Sequence, residues 1–226
     1  MIDAVVFDLD GVLLDSEQLW DEVREELARE RSGRWHEHAQ RDMMGMSSPE
    51  WSRYMHDVIG LRESPEEISA EVVRRMGERY RERLPLLPGA VEAVERLAAR
   101  WPLGLASSSN RPLIDLVLDV SGLARFFRAT VSSEEVTRGK PAPDVFLEAA
   151  RRLGVAPERT AVVEDSANGI LAGRAAGMHI VAIPNPYFPP GDEALAAADV
   201  VLGSLDELTP DAVLSASGSA SSRRGR

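Results

Sequence analysis

The sequence predicts an α/β protein: a Rossmann-like, doubly wound parallel sheet as the core, with a small helical cap domain inserted after the first strand. Three observations predict this fold. Strand-like and helix-like segments alternate from residue 89 onward, which is the pattern of βαβ units and a parallel sheet. Residues 2–8 form a short, continuous apolar run, as in a strand buried on both faces. Residues 16–84 are rich in Glu and Arg, carry apolar residues at helical spacing, and hold no convincing strand.

The individual elements follow from the same patterns, read in chain order. Segments such as "EQLWDEVREELARE" predict the cap helices, and Pro88-Gly89 marks the return to the core. The elements predicted for the core are helix 90–100, strand 102–109, helix 111–120, strand 128–133, helix 142–154, strand 160–165, helix 167–177, strand 179–184 and strand 198–204. The predicted domains are a core of 1–15 and 85–212, a cap of 16–84, and a Ser- and Gly-rich tail of 213–226 that we expect to be disordered.

Composition narrows the class of protein. The chain has 226 residues, 44% of them hydrophobic, which suits one large domain or a core with a smaller insert. The net charge of −11 argues against nucleic acid and anionic membranes as partners. Cysteine is absent, which excludes disulfides and thiolate catalysis, and Asp8 interrupts the first apolar run, so no signal peptide is visible. We therefore expect a cytoplasmic protein that its negative charge keeps monomeric.

Polar side chains stand at the predicted carboxyl ends of several strands, where parallel α/β sheets bind their ligands. The first strand ends in two acids separated by one residue, and such a pair resists joint ionisation unless a cation lies between them. Lys140, the only lysine of the chain, precedes the helix at 142–154 and so also lies near this edge. The residues expected to line the edge and meet the ligand are Asp8, Asp10, Ser107, Ser108, Lys140, Glu164 and Asp165.

These side chains predict phosphoryl-transfer chemistry. Several carboxylates in one crevice need a cation, and oxygen ligands with a phosphate substrate favour Mg²⁺. Asp8 would be the nucleophile toward phosphorus, while Mg²⁺ and the Lys140 ammonium offset its repulsion of the phosphate. Residues i and i+2 of an extended chain point the same way, so Asp10 reaches the same ligand and serves as general acid, then as base. Ser107 and nearby backbone N–H groups would hold the phosphate oxygens.

Four segments together resemble the motifs of the haloacid dehalogenase superfamily of phosphotransferases: "DLDGV", "LASSS", "GKPAPD" and "VVEDS". They occur in this order, at suitable spacing, and the resemblance covers residues 2 to about 207. The helical insert is similar to the small cap of the β-phosphoglucomutase-like branch, which closes over the site and selects the substrate. The resemblance implies Asp8 as nucleophile, Asp10 as acid and base, and Ser107 and Lys140 as phosphate ligands.

The same resemblance implies a metal cofactor and a kind of substrate. Mg²⁺ would be held by Asp8, the backbone carbonyl of Asp10 and Asp165, with Glu164 as a further candidate ligand. The segments "DSEQLWD" and "LPLLPG" are similar to sugar-phosphate phosphatases of the 2-deoxyglucose-6-phosphatase type. The favoured function is thus a Mg²⁺-dependent phosphatase that hydrolyses a small phosphorylated metabolite, a sugar or polyol phosphate, through an aspartyl-phosphate.

Two alternatives stay open at this point. A phosphosugar mutase would pass the aspartyl-phosphate to a second sugar hydroxyl. The mutases of this branch carry a His where this chain has Trp20, and an Arg where it reads Ser47-Ser48-Pro49, which argues against this alternative. A non-enzymatic, receiver-like signalling module is more remote, because receivers are shorter and lack a helical insert.

Overall fold

A six-stranded parallel sheet forms the centre of the molecule. The computed structural model describes residues 1–43, 46–186 and 188–223. The strands run in the order β3-β2-β1-β4-β5-β6, which is the order of a doubly wound sheet and confirms the predicted fold class. Their bounds are β1 Ala4–Phe7, β2 Leu103–Ser107, β3 Phe127–Ser132, β4 Thr160–Glu164, β5 His179–Ala182 and β6 Val200–Val201.

Strand β1 lies between β2 and β4 and is buried along its whole length. Its continuous apolar run follows from this position, because helices cover both faces of the sheet. Val5 and Phe7 pack into one hydrophobic cluster, while Val6 packs into the other, as the alternation of side chains in a strand requires. The strand order reverses at β1, so a crevice opens where β1 and β4 end, and ligands of such sheets bind there.

Four helices follow β1 before the chain returns to the sheet. They are α1 Glu17–Glu30, α2 Ala39–Met43, α3 Ser48–Asp57 and α4 Pro65–Glu82. A capping box of Ser64 and Glu67 begins α4, with Pro65 at its first turn. Ion pairs at the surface join α4 to α1. The described part of 16–84 contains no strand, as the apolar spacing indicates, while its assignment as a separate cap domain stays a prediction.

The remaining helices cover the sheet. They are α5 Ala90–Ala98, α6 Arg111–Val120, α7 Asp144–Leu153, α8 Ala167–Ala175, α9 Asp192–Ala197 and α10 Pro210–Arg223. Apolar residues of α5, α6 and α10 join the cluster of Phe7, and those of α7 and α8 join the cluster of Val6. Among the helices described, none is long and apolar enough to cross a membrane.

The C-terminal segment differs from the prediction of a disordered tail over 213–226. Helix α10 continues through residues 213–223, and residues 224–226 lie outside the described part of the chain. Val213 and Ala216, one turn apart, are fully buried, and α10 packs against β5 and β6. The Ser- and Gly-rich composition indicates disorder, because these residues alone do not favour a helix. Here the packing of one apolar stripe against the sheet stabilises the helix.

Candidate active site

The first two acids follow β1 directly. The backbone N–H of Asp8 donates to the carbonyl of Val163 at 3.0 Å, so pairing with β4 extends one residue past the strand and fixes the direction of Asp8. Gly11 has φ +82, a left-handed conformation that turns the chain away from the sheet. A Cβ built on Gly11 would lie 2.0 Å from Oδ2 of Asp165. The glycine therefore makes room for a carboxylate from β4 beside the end of β1.

Lys140 joins two of the predicted acids. Its Nζ donates to Oδ1 of Asp8 at 2.6 Å and to Oε1 of Glu164 at 2.7 Å. All three side chains are buried, with Lys140 only 6% exposed. Glu164 is itself fixed by the backbone N–H groups of Asp165 and Ser166, at 2.9 and 2.8 Å, and by the Ser166 hydroxyl at 3.0 Å. Three separate segments of the chain thus meet at one ammonium group, as the strand-end argument predicts.

The charges of this cluster are unbalanced. Burial raises the pKa of Asp8 to about 8, with repulsion from Glu164 and Asp10 in the same direction and attraction to Lys140 opposing it. Burial, followed by repulsion from Glu164 and Asp8, raises the pKa of Asp165 well above its usual range. Burial works against the Lys140 charge, but Asp8 and Glu164 outweigh it and raise the pKa of Lys140. One ammonium therefore faces more buried carboxyl groups than it can neutralise.

The donor set fits a hard divalent cation. Asp8, Glu164 and Asp165 each offer an oxygen, and these oxygens lie within 4.8 Å of one another. Oδ1 of Asp165 is buried and has no hydrogen-bond partner. A buried, unpaired oxygen destabilises the folded state unless a ligand binds to it. Both oxygens of Glu164 already accept hydrogen bonds from Lys140, Ser166 and backbone N–H groups. Asp8 and Asp165 are therefore freer than Glu164 to bind a metal.

Asp10 sits in a ring of hydrogen-bond donors. Oδ1 accepts from the Ser16 hydroxyl at 2.6 Å and from the Trp20 indole N–H at 3.2 Å. Oδ2 accepts from the Ser109 hydroxyl at 2.6 Å and from the Ser107 hydroxyl at 3.4 Å. Donors from the first helix and from the loop after β2 hold the carboxyl group in one orientation, as a proton-transferring group requires.

The three consecutive serines at the end of β2, Ser107 to Ser109, take different positions. Ser107 is fully buried, and its hydroxyl accepts from the Ser109 backbone N–H at 2.9 Å. Ser108 and Ser109 line the cavity above Asp10. Ser107 and Ser108 were predicted from the sequence to bind the ligand, and Ser109 was not. The run of three serines was the available signal, but the direction of each hydroxyl depends on how the chain turns after the strand.

A cavity of about 350 Å³ opens above these residues. Asp8, Asp10, Lys140 and Asp165 form part of its wall on the side of the sheet. Helices α1, α2 and α3 and the segment at 188–191 line much of the rest of the cavity. The side chains contributed by α1 and its neighbours include Glu17, Trp20, Arg24, Arg41, Met43, Met46 and Trp51. The predicted catalytic groups are thus exposed to a space large enough for a small metabolite, which residues of the inserted helices also line.

The start of α3 touches the loops that carry the predicted phosphate ligands. The Ser48 hydroxyl donates to Oδ1 of Asn110 at 2.7 Å, in a buried contact just after the serine run. A Cβ built on Gly139 would lie 3.2 Å from Cβ of Ser47. The start of α3 is therefore in direct contact with the two loops that are predicted to bind phosphate.

Comparisons with known proteins agree with this geometry. The model of the haloacid dehalogenase-like hydrolase family matches residues 2–177. Hexitol phosphatase B of Escherichia coli (strain K12) is 35% identical over 225 residues, covering 91% of this chain and 94% of that protein. The probable pseudouridine-5'-phosphatase of Drosophila melanogaster is 34% identical, covering 91% of each chain. The crystal structure of CbbY from Rhodobacter sphaeroides with phosphate superposes with a TM-score of 0.84 at 26% identity, covering 94% of this chain and 99% of that one.

The family match and the named phosphatase relatives show that the protein is a phosphoric monoester hydrolase. The chain belongs to the haloacid dehalogenase-like hydrolase family. The motifs predict the β-phosphoglucomutase-like branch of this family. A solved β-phosphoglucomutase-type structure from Thermotoga maritima confirms this prediction. It is 30% identical with a TM-score of 0.71, and the match covers 92% of this chain and 96% of that one.

Proposed function

We propose that the protein is a Mg²⁺-dependent phosphatase that removes phosphate from a small sugar or polyol phosphate through a phosphorylated Asp8. The observation that carries this proposal is the contact of one buried ammonium, Lys140, with both Asp8 and Glu164 beside a cavity that Asp10 also lines. The names of relatives support the substrate class, since they include a hexitol phosphatase and a fructose-1-phosphate phosphatase.

The first half-reaction transfers the phosphoryl group to the protein. A carboxylate oxygen of Asp8 forms a bond to phosphorus while the bond from phosphorus to the ester oxygen breaks. Asp10 donates a proton to the departing oxygen, so the leaving group departs as a neutral alcohol. Lys140 stabilises the ionised form of Asp8 and the charge of the phosphoryl oxygens, and Glu164 keeps its ammonium in place.

The second half-reaction returns the protein to its starting state. Asp10, now a carboxylate, takes a proton from a water molecule whose oxygen forms a bond to phosphorus. The bond between phosphorus and Asp8 breaks, which releases inorganic phosphate and restores the carboxylate. The hydroxyls of Ser109 and Ser16 hold Asp10 in the orientation that both proton transfers need.

Mg²⁺ would be held by Asp8, Asp165 and the backbone carbonyl of Asp10. When bound, it supplies positive charge that offsets the repulsion between the carboxylates and the phosphate. The unpartnered, buried Oδ1 of Asp165 supports this assignment. Glu164 remains a candidate ligand, although its present contacts suit a residue that positions Lys140.

Trp20 favours hydrolysis over the mutase alternative. Its indole N–H donates to Asp10 at 3.2 Å, at the position where the mutases of this branch carry a His. An indole N–H is a donor only and cannot exchange a proton with Asp10 or a sugar hydroxyl, whereas an imidazole can. The residue beside Asp10 therefore lacks the acid–base chemistry that a second transfer to sugar would draw on.

A phosphate-release assay tests the proposal. The purified protein with Mg²⁺ would be given sorbitol 6-phosphate, fructose 1-phosphate, glycerol 3-phosphate and a nucleoside monophosphate, beside a D8N variant. We expect release by the wild type alone, greatest for the sugar or polyol esters. Release from none of them, together with an isomerised sugar phosphate, would replace the phosphatase with the mutase.

A further inference from the structure

Arg24 is a buried cation that forms no salt bridge with any residue that the structure describes. It lies on α1 and is 8% exposed. Its guanidinium carbon is 5.0 Å from the ring centroid of Trp20 and 5.3 Å from that of Trp51. Nε has no hydrogen-bond partner, and the salt bridges of the described residues include none with Arg24. The same side chain lines the cavity above Asp10, so its donors are available to a ligand.

Other arginines of the inserted helices form surface ion pairs, which is the usual structural role of arginine. Arg75 pairs with Glu30 at 2.5 Å and Arg79 with Glu26 at 3.0 Å, both at the surface. Arg24 forms no such contact with a carboxylate among the described residues. Burial lowers its pKa to about 10, and attraction to Glu17, Asp21 and Asp10 opposes this shift. Two aromatic rings also stabilise the buried guanidinium.

Glu17 supplies an acceptor on the same face of α1. Glu17, Trp20 and Arg24 are spaced i, i+3 and i+7, so they form one stripe along the helix, and all three line the cavity. Glu17 and Arg24 influence each other electrostatically but form no salt bridge. The cavity is therefore lined by a carboxyl acceptor and a guanidinium donor that lie about two helical turns apart on α1.

We propose that Glu17 and Arg24 bind hydroxyl groups of the leaving group, so that the substrate beyond its phosphate is an uncharged, polyhydroxylated chain. This inference rests on the proposed phosphatase function. A second phosphate or carboxylate near Arg24 would also meet the carboxyl groups of Glu17 and Asp10, which repel it. An apolar group would leave both polar side chains unpaired. A chain of hydroxyls satisfies both, because each hydroxyl donates to Glu17 or accepts from Arg24.

The test compares three phosphate esters that differ in the leaving group: sorbitol 6-phosphate, fructose 1,6-bisphosphate and p-nitrophenyl phosphate. R24M and E17Q would be measured beside wild type, with R29M as the matched control, because Arg29 lies on the same helix but is exposed. We expect R24M to lower kcat/KM for sorbitol 6-phosphate about tenfold or more, mainly through KM. E17Q should lower it by a smaller factor, about three- to tenfold, because the amide oxygen of Gln still accepts a hydrogen bond. The rate with p-nitrophenyl phosphate, which has no hydroxyls, should change less than about threefold, and R29M should match wild type.

Other patterns of loss would overturn the inference. An equal loss with all three esters would make Arg24 and Glu17 structural. A loss confined to the bisphosphate would assign Arg24 to a second anion, and unchanged kinetics would remove both residues from recognition.

A binding measurement separates this inference from the phosphatase proposal. Sorbitol 6-phosphate would be titrated into D8N and into D8N/R24M while the tryptophan fluorescence is followed, because Trp20 and Trp51 flank Arg24. We expect a Kd about tenfold weaker in the double variant. If the wild type hydrolyses none of the esters but this difference appears, the phosphatase proposal fails and the recognition stands. Equal binding, or no binding to D8N, refutes the recognition.

Discussion

Nζ of Lys140 lies 2.6 Å from Oδ1 of Asp8, although 132 positions of sequence separate the two residues. The same ammonium is 2.7 Å from Glu164, so carboxylates hold it on two sides in a buried site. Asp8 and Lys140 therefore behave as one unit, in which the lysine favours the ionised carboxyl and the carboxyl fixes the lysine. Changes at either position should show this dependence.

Replacement of Asp8, the proposed nucleophile, should abolish turnover. In D8N the amide cannot attack phosphorus, so phosphate release should fall to below roughly one thousandth of the wild-type rate. Circular dichroism should show an intact fold. The control is D119N, which removes an exposed acid on α6. Appreciable residual release by D8N would show that another group attacks phosphorus.

Exchange of the active-site lysine for arginine should be severely damaging. A planar guanidinium cannot occupy the space of a point-like ammonium between Asp8 and Glu164, so kcat for K140R should fall about 10²-fold or more. The matched control is R138K, two residues earlier, where an exposed arginine pairs with Asp144. Near-normal kinetics for K140R would argue against contact of this residue with the transferred phosphoryl group.

Metal removal should be reversible and should depend on Asp165. EDTA should stop phosphate release, and excess Mg²⁺ should restore it. Mg²⁺ should also raise the Tm of the wild type, since a ligand that binds only the folded state stabilises it. In D165N the Mg²⁺ concentration for half-maximal activity should rise by about 10- to 100-fold, with a smaller rise in Tm. Activity that survives chelation would remove the metal from the mechanism.

Glu17 should make the protein less stable as the pH rises. Burial, with repulsion from Asp10, raises the pKa of Glu17 from 4.5 to about 7 in the folded state. Between these values the folded state binds more protons than the unfolded state, so the free energy of unfolding falls with rising pH. E17Q lacks this effect. The free energy of unfolding of E17Q minus that of wild type should therefore increase by about 1–3 kcal/mol between pH 4.5 and about pH 7. Above about pH 7 this difference should stay constant.

Urea unfolding of wild type and E17Q at several pH values, with EDTA present, measures this difference. E25Q is the control, because Glu25 lies on the same helix and pairs with exposed Arg29. A stability difference that does not vary with pH would contradict the predicted titration of Glu17.

The carboxyl group of Asp165 should be able to occupy its place only if residue 11 has no side chain. G11A places a methyl group where Oδ2 of Asp165 stands, while G60A has the same kind of backbone, with φ +86, and open space around it. G60A should cost about 1 kcal/mol from backbone strain alone. G11A should cost at least about 2 kcal/mol more and should weaken the response to Mg²⁺. Similar thermal unfolding of the two variants would mean that Asp165 moves aside freely.

The parallel sheet and the side chains at its carboxyl edge could be predicted from the sequence. Parallel strands bring their carboxyl ends together however the intervening helices pack. Asp8, Lys140 and Glu164 meet for this reason. Ser109 and Arg24 were not predicted to face the cavity. Their directions depend on a turn after β2 and on how an inserted helix docks, and apolar spacing reports neither. The predicted cytoplasmic location and monomeric state stay predictions.

The burial of the one lysine gives the folded chain an unusual reactivity toward amine reagents. Lys140 is 6% exposed and its ε-amino group remains protonated between two carboxyl groups, so acylating agents meet no free lysine nucleophile while this cluster is intact. The rate of acylation of Lys140 would therefore report how often the cluster opens. Peptide mass spectrometry would distinguish it from acylation of the exposed α-amino group of Met1. Chemical attachment of the folded protein through lysine, for labelling or immobilisation, would require disruption of the active site.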